Sequence, residues 1–423
     1  MMNNERTSVA VAGGGPAGMV LGLLLARAGV EVTVLEKHAD FLRDFRGDTV
    51  HPTTLTLLDE LGLGERFAAL PQRRVQQLRG VLDGGTVTIA DFTRLPGAHP
   101  HLALVPQWDF LDLLAEAAEA EPTFTLIRNA DVTGMLRAGG KVTGVRWTDR
   151  VSGEEHELSA ALTVGCDGRG STLRAAAGLR SRAFGVPMDV WWFRLPRHAD
   201  DVEGGLGRFS TGHFAVMIDR GDYWQCAYLI RKGSDAGLRA AGIQTLRDRF
   251  ARLVPWMADR VDALESFDQV QLLDVRLDRL RRWSTDGLLL IGDAAHAMSP
   301  VGGVGINLAV ADAVATARLL GPSLRSSGSV TPAELRRVQA RRWWPTVVLQ
   351  SLQRVAHKAI LGRALGFDPD AEHTSVTSLP LPARLLERFP ALRGIPARLV
   401  GVGPLPEHAP EWARRPRTLH AHR

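Results

Sequence analysis

Val9-Ala10-Val11-Ala12-Gly13-Gly14-Gly15-Pro16-Ala17-Gly18 is the stretch on which the reading of this chain turns. Four glycines stand between a short β-branched, apolar run and the helix-forming stretch Met19 to Ala28, which Gly29 is placed to end. A secretory leader offers one explanation: a basic Arg6, an apolar core, then small residues. The alternative is a turn whose backbone amides meet a pyrophosphate. The residues beyond Gly29 favour the turn, because Val30 to Leu35 alternates like a second strand and ends in Glu36, which a cleaved leader would not need. Strand, Gly13-x-Gly15-x-x-Gly18, helix, strand and acid fit within one βαβ length. Gly13 is expected to make the tight turn, Gly15 to let the backbone reach the phosphates and Gly18 to let helix and strand close up. The helix N-terminus at Pro16 and Ala17 offers free amides and partial positive charge. Glu36 is placed to accept from adenosine ribose hydroxyls. An acid there disfavours a 2′-phosphate, which leaves NAD or FAD as the resident nucleotide.

Composition sets the limits. At 423 residues, with 45% hydrophobic and 23% charged residues, the chain reads as a soluble globular protein of two structural units. The absence of a long unbroken apolar run gives no reason to expect a transmembrane segment. Two cysteines, Cys166 and Cys226, support neither a disulfide framework nor a cysteine metal site, so no metal is expected and a reducing cytoplasm suits the chain. The net charge of +5 is spread along the sequence, and no zinc knuckle or RNP-type motif accompanies it, which sets nucleic acid aside.

Two later motifs select the flavin. Leu288 to Ile291 reads as a buried strand running into Gly292-Asp293-Ala294-Ala295-His296, followed by Pro300 and a second glycine loop, Gly302-Gly303-Val304-Gly305-Ile306-Asn307, which opens a helix through Asp312. Asp293 suits the hydroxyls of a ribityl chain, which NAD lacks. The loop amides and helix dipole suit negative charge at the pyrimidine edge of a reduced flavin. Between the outer motifs lies a third strand and turn, Ala161 to Gly165 followed by Cys166-Asp167-Gly168.

Together these segments resemble the GxGxxG, DG and GD fingerprints of the flavin-dependent aromatic hydroxylases, the single-component group typified by para-hydroxybenzoate hydroxylase. The resemblance covers residues 7 to about 320 in the expected order. It implies an α/β fold with a Rossmann-like, GR2-type FAD-binding domain, a mixed-sheet substrate domain and a helical C-terminal segment. It further implies that Arg46 reaches the FAD phosphates, that Lys37 lies beside Glu36 at the nucleotide, and that Gln107 opens the helix under the flavin. Asp167 would tie FAD binding to transient NADH or NADPH docking. Pro300, Gly302 and Gly303 would form the wall where oxygen reacts. By this resemblance the enzyme is an FAD-dependent monooxygenase that forms a flavin C4a-hydroperoxide and hydroxylates an electron-rich aromatic, quinol or polyketide-type small molecule. His296 is read chiefly as a packing residue, and His51 is assigned no chemistry.

Domain boundaries follow from breaks in the βα rhythm. Residues 1–75, 101–180 and 270–335 are expected to form the FAD-binding domain, 76–100 and 181–269 a roof sheet over the flavin, and 336–423 a helical lid or subunit-pairing surface in a monomer or homodimer. A helix beginning at Pro332 is expected to break at Pro345 and resume to Leu365. Trp192, Phe214, Trp224 and Tyr228 are the substrate-pocket candidates on the roof, whose strands have two faces that the sequence does not tell apart. Alternatives on the same nucleotide fold are a flavin reductase or dehydrogenase, a non-enzymatic carrier, and a halogenase, which Trp191-Trp192-Phe193-Arg194-Leu195-Pro196 echoes superficially.

Overall fold

The computed structural model describes residues 4–42, 49–82, 85–201, 205–210, 213–358 and 381–416. Its first element is the predicted βαβ unit: β1 (Asn4–Ala12), α1 (Pro16–Arg27) and β2 (Val32–Glu36). Five parallel strands run side by side in the order Leu288–Leu290, Glu155–Gly165, β1, β2 and Phe124–Arg128. Val9–Ala12, β2, Leu162–Gly165 and Leu288–Leu290 are buried on both faces, as near-continuous apolar strands of a parallel sheet require, whereas the edge strand Phe124–Arg128 is only partly buried. The helix α1 is buried almost all round, consistent with its nearly all-apolar sequence.

One part of this sheet is not among the elements expected from the sequence. Ala130–Ala138 and Lys141–Asp149 form an antiparallel hairpin that pairs with the first half of Glu155–Gly165, while Leu288–Leu290 takes the second half of the same edge. Gly139 and Gly140, both at positive φ, make the hairpin turn.

A second sheet of seven strands runs in the order Gln271–Leu273, Met188–Pro196, Tyr223–Arg231, His213–Asp219, Gly205–Ser210, Gln77–Leu82 and Gly85–Asp91. The last two join it through a parallel pairing with Gly205–Ser210. Helices Ile243–Leu253 and Pro255–Ala263 contribute Leu246, Phe250, Leu253, Met257 and Val261 to the core on one of its faces.

The helix after the second glycine loop, Gly305–Ser327, is a core helix. Val301–Ser327 is long and apolar enough to cross a membrane, but its apolar residues lie in the protein core and Asp312 is fully buried in ion pairs. The next helix, Pro332–Ala356, corrects the expected break: it runs straight through Pro345. Pro345 is buried, and beside it the Thr346 hydroxyl donates to the Arg342 carbonyl at 2.8 Å.

The described end of the tail forms a strap. From Val400 to Arg415 it lies against α1 and the helix Pro52–Glu60. His408 and the Ala409 amide bond Glu60 at 2.8 and 2.7 Å, and the Ala413 carbonyl accepts from Arg27 at 2.9 Å.

Candidate flavin site

The three motifs are spread along the chain from Gly13 to Asp293, and the parallel sheet brings them to one edge. Ala12 is in register with both Leu35 and Gly165, and Gly165 with Leu290, so the strands end level. Backbone bonds then fasten the loops together: Gly13 N–H to the Leu35 carbonyl (2.8 Å), Cys166 N–H to Ala12 (2.8 Å) and Ile291 N–H to Gly165 (3.1 Å). The carboxyl ends of parallel strands, where chain direction sends successive loops apart, are where open α/β sheets bind ligands.

The glycines have separate physical reasons. Gly13 sits at φ +101°, and a side chain there would meet the Cys166 carbonyl oxygen at 2.5 Å. A Cβ at Gly18 would lie 2.0 Å from the Gly13 carbonyl oxygen. A Cβ at Gly15 would meet nothing within 4 Å, and no side chain caps the α1 N-terminus there. The loop is therefore closed behind and open in front, with uncapped helix amides at its mouth. Glu36 is buried, and its two carboxylate oxygens accept from Gly14 N–H (2.9 Å) and His38 N–H (3.0 Å), which aims it beside the loop. Lys37 is exposed, and its carbonyl is occupied by Arg150. Arg46 lies outside the described residues.

Asp167 accepts from the Leu173 amide at 3.1 Å through one oxygen, while the other is buried without a partner among the described residues. Burial pushes its carboxyl above the ordinary range against hydrogen bonds from Ser171 and nearby amides. Arg174 braces the motifs by bonding the carbonyls of Ala294 and Arg169. Gly292 packs on α1, with a Cβ there 3.4 Å from that of Ala17, and Asp293 is the half-exposed residue of an otherwise buried turn. Gln107 opens the helix Gln107–Glu119, half-buried, on a Pro106 cap.

The second glycine loop is held at both ends. Gly302 and Gly303 take φ +84° and +63° in the turn that follows Pro300. Ser299 is bonded by Gln353 and by His357, which fixes the Pro300 end. At the other end Asn307 accepts from the His51 amide (2.9 Å) and Thr54 hydroxyl (2.7 Å), and it donates to the Thr49 carbonyl (3.2 Å). The Asn307 side chain thus serves the scaffold and leaves the amides of Val304 to Ile306 near the helix start. His51 itself is fully buried and donates Nδ1–H to the Val400 carbonyl at 2.7 Å.

Sequence reasoning missed the buried ion network behind this site. Asp312 accepts from Gly292 N–H (3.1 Å), His296 Nε2 (2.5 Å) and Arg342 Nε (2.9 Å). Arg342 also reaches the Leu405 carbonyl and Glu407. Burial alone would raise the Asp312 carboxyl, but His296 and Arg342 hold it below the ordinary value. The signal was present as a single acid within the apolar run Leu308-Ala-Val-Ala-Asp312-Ala-Val.

The roof candidates divide between two faces, which corrects their grouping as one pocket. Trp224 is fully buried, with its indole N–H on Asp201 at 2.7 Å, and Tyr228 bonds His213 at 2.6 Å. Both pack with Phe250 and Met257 under the helices on the outer face. Trp192 and Phe214 lie on the opposite face with Val216, Leu273 and Val301, the residue after Pro300. The inner face is therefore the one toward the second glycine loop.

A family model described as an FAD binding domain matches residues 6–337. The chain belongs to the FAD-dependent aromatic hydroxylases and is an FAD-dependent monooxygenase acting on a small molecule with O2. It is 35% identical over 404 residues to the 6-methylpretetramide 4-monooxygenase of Streptomyces rimosus, covering 94% of this chain and 93% of that one. The 3-demethoxyubiquinol 3-hydroxylase of Escherichia coli is 26% identical, over 83% of this chain and 89% of its own. Among solved structures, the anhydrotetracycline hydroxylase OxyS of Streptomyces rimosus shares the fold at a TM-score of 0.71 and 24% identity, covering 94% and 76% of the two chains.

Proposed function

We propose that this enzyme hydroxylates a flat, electron-rich polycyclic phenol of the aromatic polyketide class, with NADH or NADPH as the electron donor. The observation that carries the reading is the convergence of three loops at one strand-end edge, in a chain that matches a polyketide monooxygenase over nearly its whole length. The cradle fits the cofactor: a glycine loop open in front, a positioned carboxylate at Glu36 and an oxygen on Asp167 that has no partner among the described residues. In this reading Gly13 to Gly18 and the α1 amides hold the pyrophosphate, with Glu36 on the ribose and Asp293 on the ribityl chain. Asp167 and Gln107 line the same site, and Pro300 to Asn307 border the ring. FAD, when bound, supplies the oxygen-activating chemistry. The chain's own part is to orient substrate on the inner roof face, exclude water with apolar side chains and offer helix amides to developing negative charge.

The division of labour proposed for the chain keeps 1–75, 101–180 and 270–335 as the cofactor unit, 76–100 and 181–269 as the substrate roof, and 336–423 as the C-terminal segment. The Trp191 to Pro196 stretch that echoes a halogenase signature is a roof strand paired along its length with Tyr223–Arg231.

Purified protein should be yellow with FAD. Its NAD(P)H consumption should require O2 and rise with a polycyclic phenol, and isotopically labelled oxygen from O2 should appear in the product. Anaerobic turnover without label would instead make it a dehydrogenase.

A further inference from the structure

The helices Leu381–Arg388 and Gly394–Gly401, with the turn Pro390–Arg393 between them, reverse the usual rule of burial. Small residues pin this segment to the edge of the roof sheet, where Gly85–Asp91 runs into Phe92. Ala397 is fully buried in one apolar cluster with Phe92 and Leu95, and a Cβ at Gly401 would lie 3.1 Å from the first and 3.2 Å from the second. The large apolar side chains are left outside: Leu385, Phe389, Leu392 and Ile395 are 44, 53, 37 and 57% exposed. The Phe389 N–H bonds the Leu385 carbonyl and the Leu392 N–H the Phe389 carbonyl, each at 2.9 Å, so these residues follow one another about a helical turn apart. Arg393 Nε donates to the Leu386 carbonyl at 3.0 Å and clamps the two helices together.

The charge on this segment is one-sided. Residues 381–401 carry Arg384, Arg388, Arg393 and Arg398 against a single acid, Glu387, and all of these but Arg393 are exposed. A contiguous apolar row rimmed by charge marks a surface that meets a partner. Two copies meeting symmetrically here would set arginines against arginines, which works against a second copy of the chain. An anionic lipid surface answers both features at once. Leucine, isoleucine and phenylalanine side chains of a surface helix enter the boundary of the acyl region, and arginines beside them meet the headgroup charge. We propose that residues 384–398 dock the enzyme on an anionic lipid bilayer, with Leu385, Phe389, Leu392 and Ile395 in the boundary and Arg384, Arg388 and Arg398 at the headgroups. The inference is independent of the reaction assigned to the flavin site.

The test sediments FAD-loaded, full-length enzyme with vesicles of equal parts phosphatidylglycerol and phosphatidylcholine, and with vesicles of phosphatidylcholine alone. Affinity for the mixed vesicles should be higher by about tenfold or more, and added salt should weaken it. Leu385→Ser combined with Phe389→Ser leaves the net charge unchanged and should lower that affinity by about tenfold, with FAD content and melting temperature kept. Arg384→Ser combined with Arg388→Ser should lower it as well while leaving the apolar row intact. Wild-type enzyme that stays in the supernatant with both vesicles, or binds both equally, overturns the proposal whether or not any variant folds. Binding that survives Leu385→Ser with Phe389→Ser also overturns it, because the attraction would then be the diffuse positive charge of the whole chain. A dimer in analytical ultracentrifugation that the same pair of substitutions dissolves would give the row to a second copy and overturn the lipid assignment.

Discussion

His51 shows how one buried side chain records its surroundings. Its Nδ1–H is committed to the Val400 carbonyl, which can only accept, so Nε2 is left unprotonated, and burial lowers the imidazole to about 4 despite two neighbouring carbonyls. Above the ordinary value of 6.5 the ring is neutral in both folded and unfolded chains, and its contribution is fully present. As pH falls through that value the unfolded chain takes up a proton that the folded chain refuses until about 4, so stability is lost across this window. The loss amounts to about 3 kcal/mol. Denaturant melts of His51→Gln and wild type at pH 7 and at about pH 4.5 should show a shallower acid loss in the variant by up to that amount; parallel curves would remove His51 as the source. Gly18 makes a steric prediction. With a Cβ placed 2.0 Å from the Gly13 carbonyl oxygen, Gly18→Ala must push the helix off the loop. It should destabilise the protein and abolish its FAD visible spectrum, whereas Gly15→Ala, which meets no protein atom but puts a methyl at the open mouth of the loop, should weaken FAD retention while leaving the melting temperature of the FAD-free protein unchanged.

The helix Gly305–Ser327 joins the second glycine loop at its N-terminus to a buried charge at its middle. Asp312 is fully buried, and Arg342 from the following helix is its guanidinium partner. Removing one partner of a buried pair strands the other, at about 3–5 kcal/mol. Arg342→Met should therefore lower the melting temperature sharply and weaken FAD retention, because Asp312 also holds the Gly292 amide of the Gly-Asp turn. Adding Asp312→Asn neutralises the stranded charge and should recover much of the stability. Calorimetry and FAD release measured on the single and double variants check the coupling, and strict additivity would show that the two side chains act independently.

In the whole molecule, the strap ties the distant end of the chain to the residues behind the proposed flavin site. Val400 bonds His51, Leu405 and Glu407 bond Arg342, and Glu407 takes a two-pronged contact from Arg341 at 2.7 and 3.0 Å. These contacts reach Asn307 through His51, and Gly292 through Arg342 and Asp312. A chain ending at residue 399 should lose thermal stability and release FAD on dilution. Retention equal to the full chain would make the strap a passive covering.

The cofactor half of this fold was legible because its signals are local. A glycine turn, a helix without breakers and an acid after the next strand are set by backbone sterics and a short spacing, so VAVAGGGPAG and Glu36 declared themselves. The Gly139-Gly140 hairpin is equally local, and its paired glycines were a readable signal that went unused. Sidedness was not local. Trp191 and Trp192 are adjacent and chemically identical, and period-two alternation says that they part company without saying which one faces the second glycine loop. The helices Ile243–Leu253 and Pro255–Ala263 settled it by covering the outer face. Likewise Asp312, Arg342 and Glu407 are uninformative alone, and nothing in their spacing foretells a network. Long-range packing determines which charges are buried together, and burial is what turns three ordinary side chains into a brace for the site.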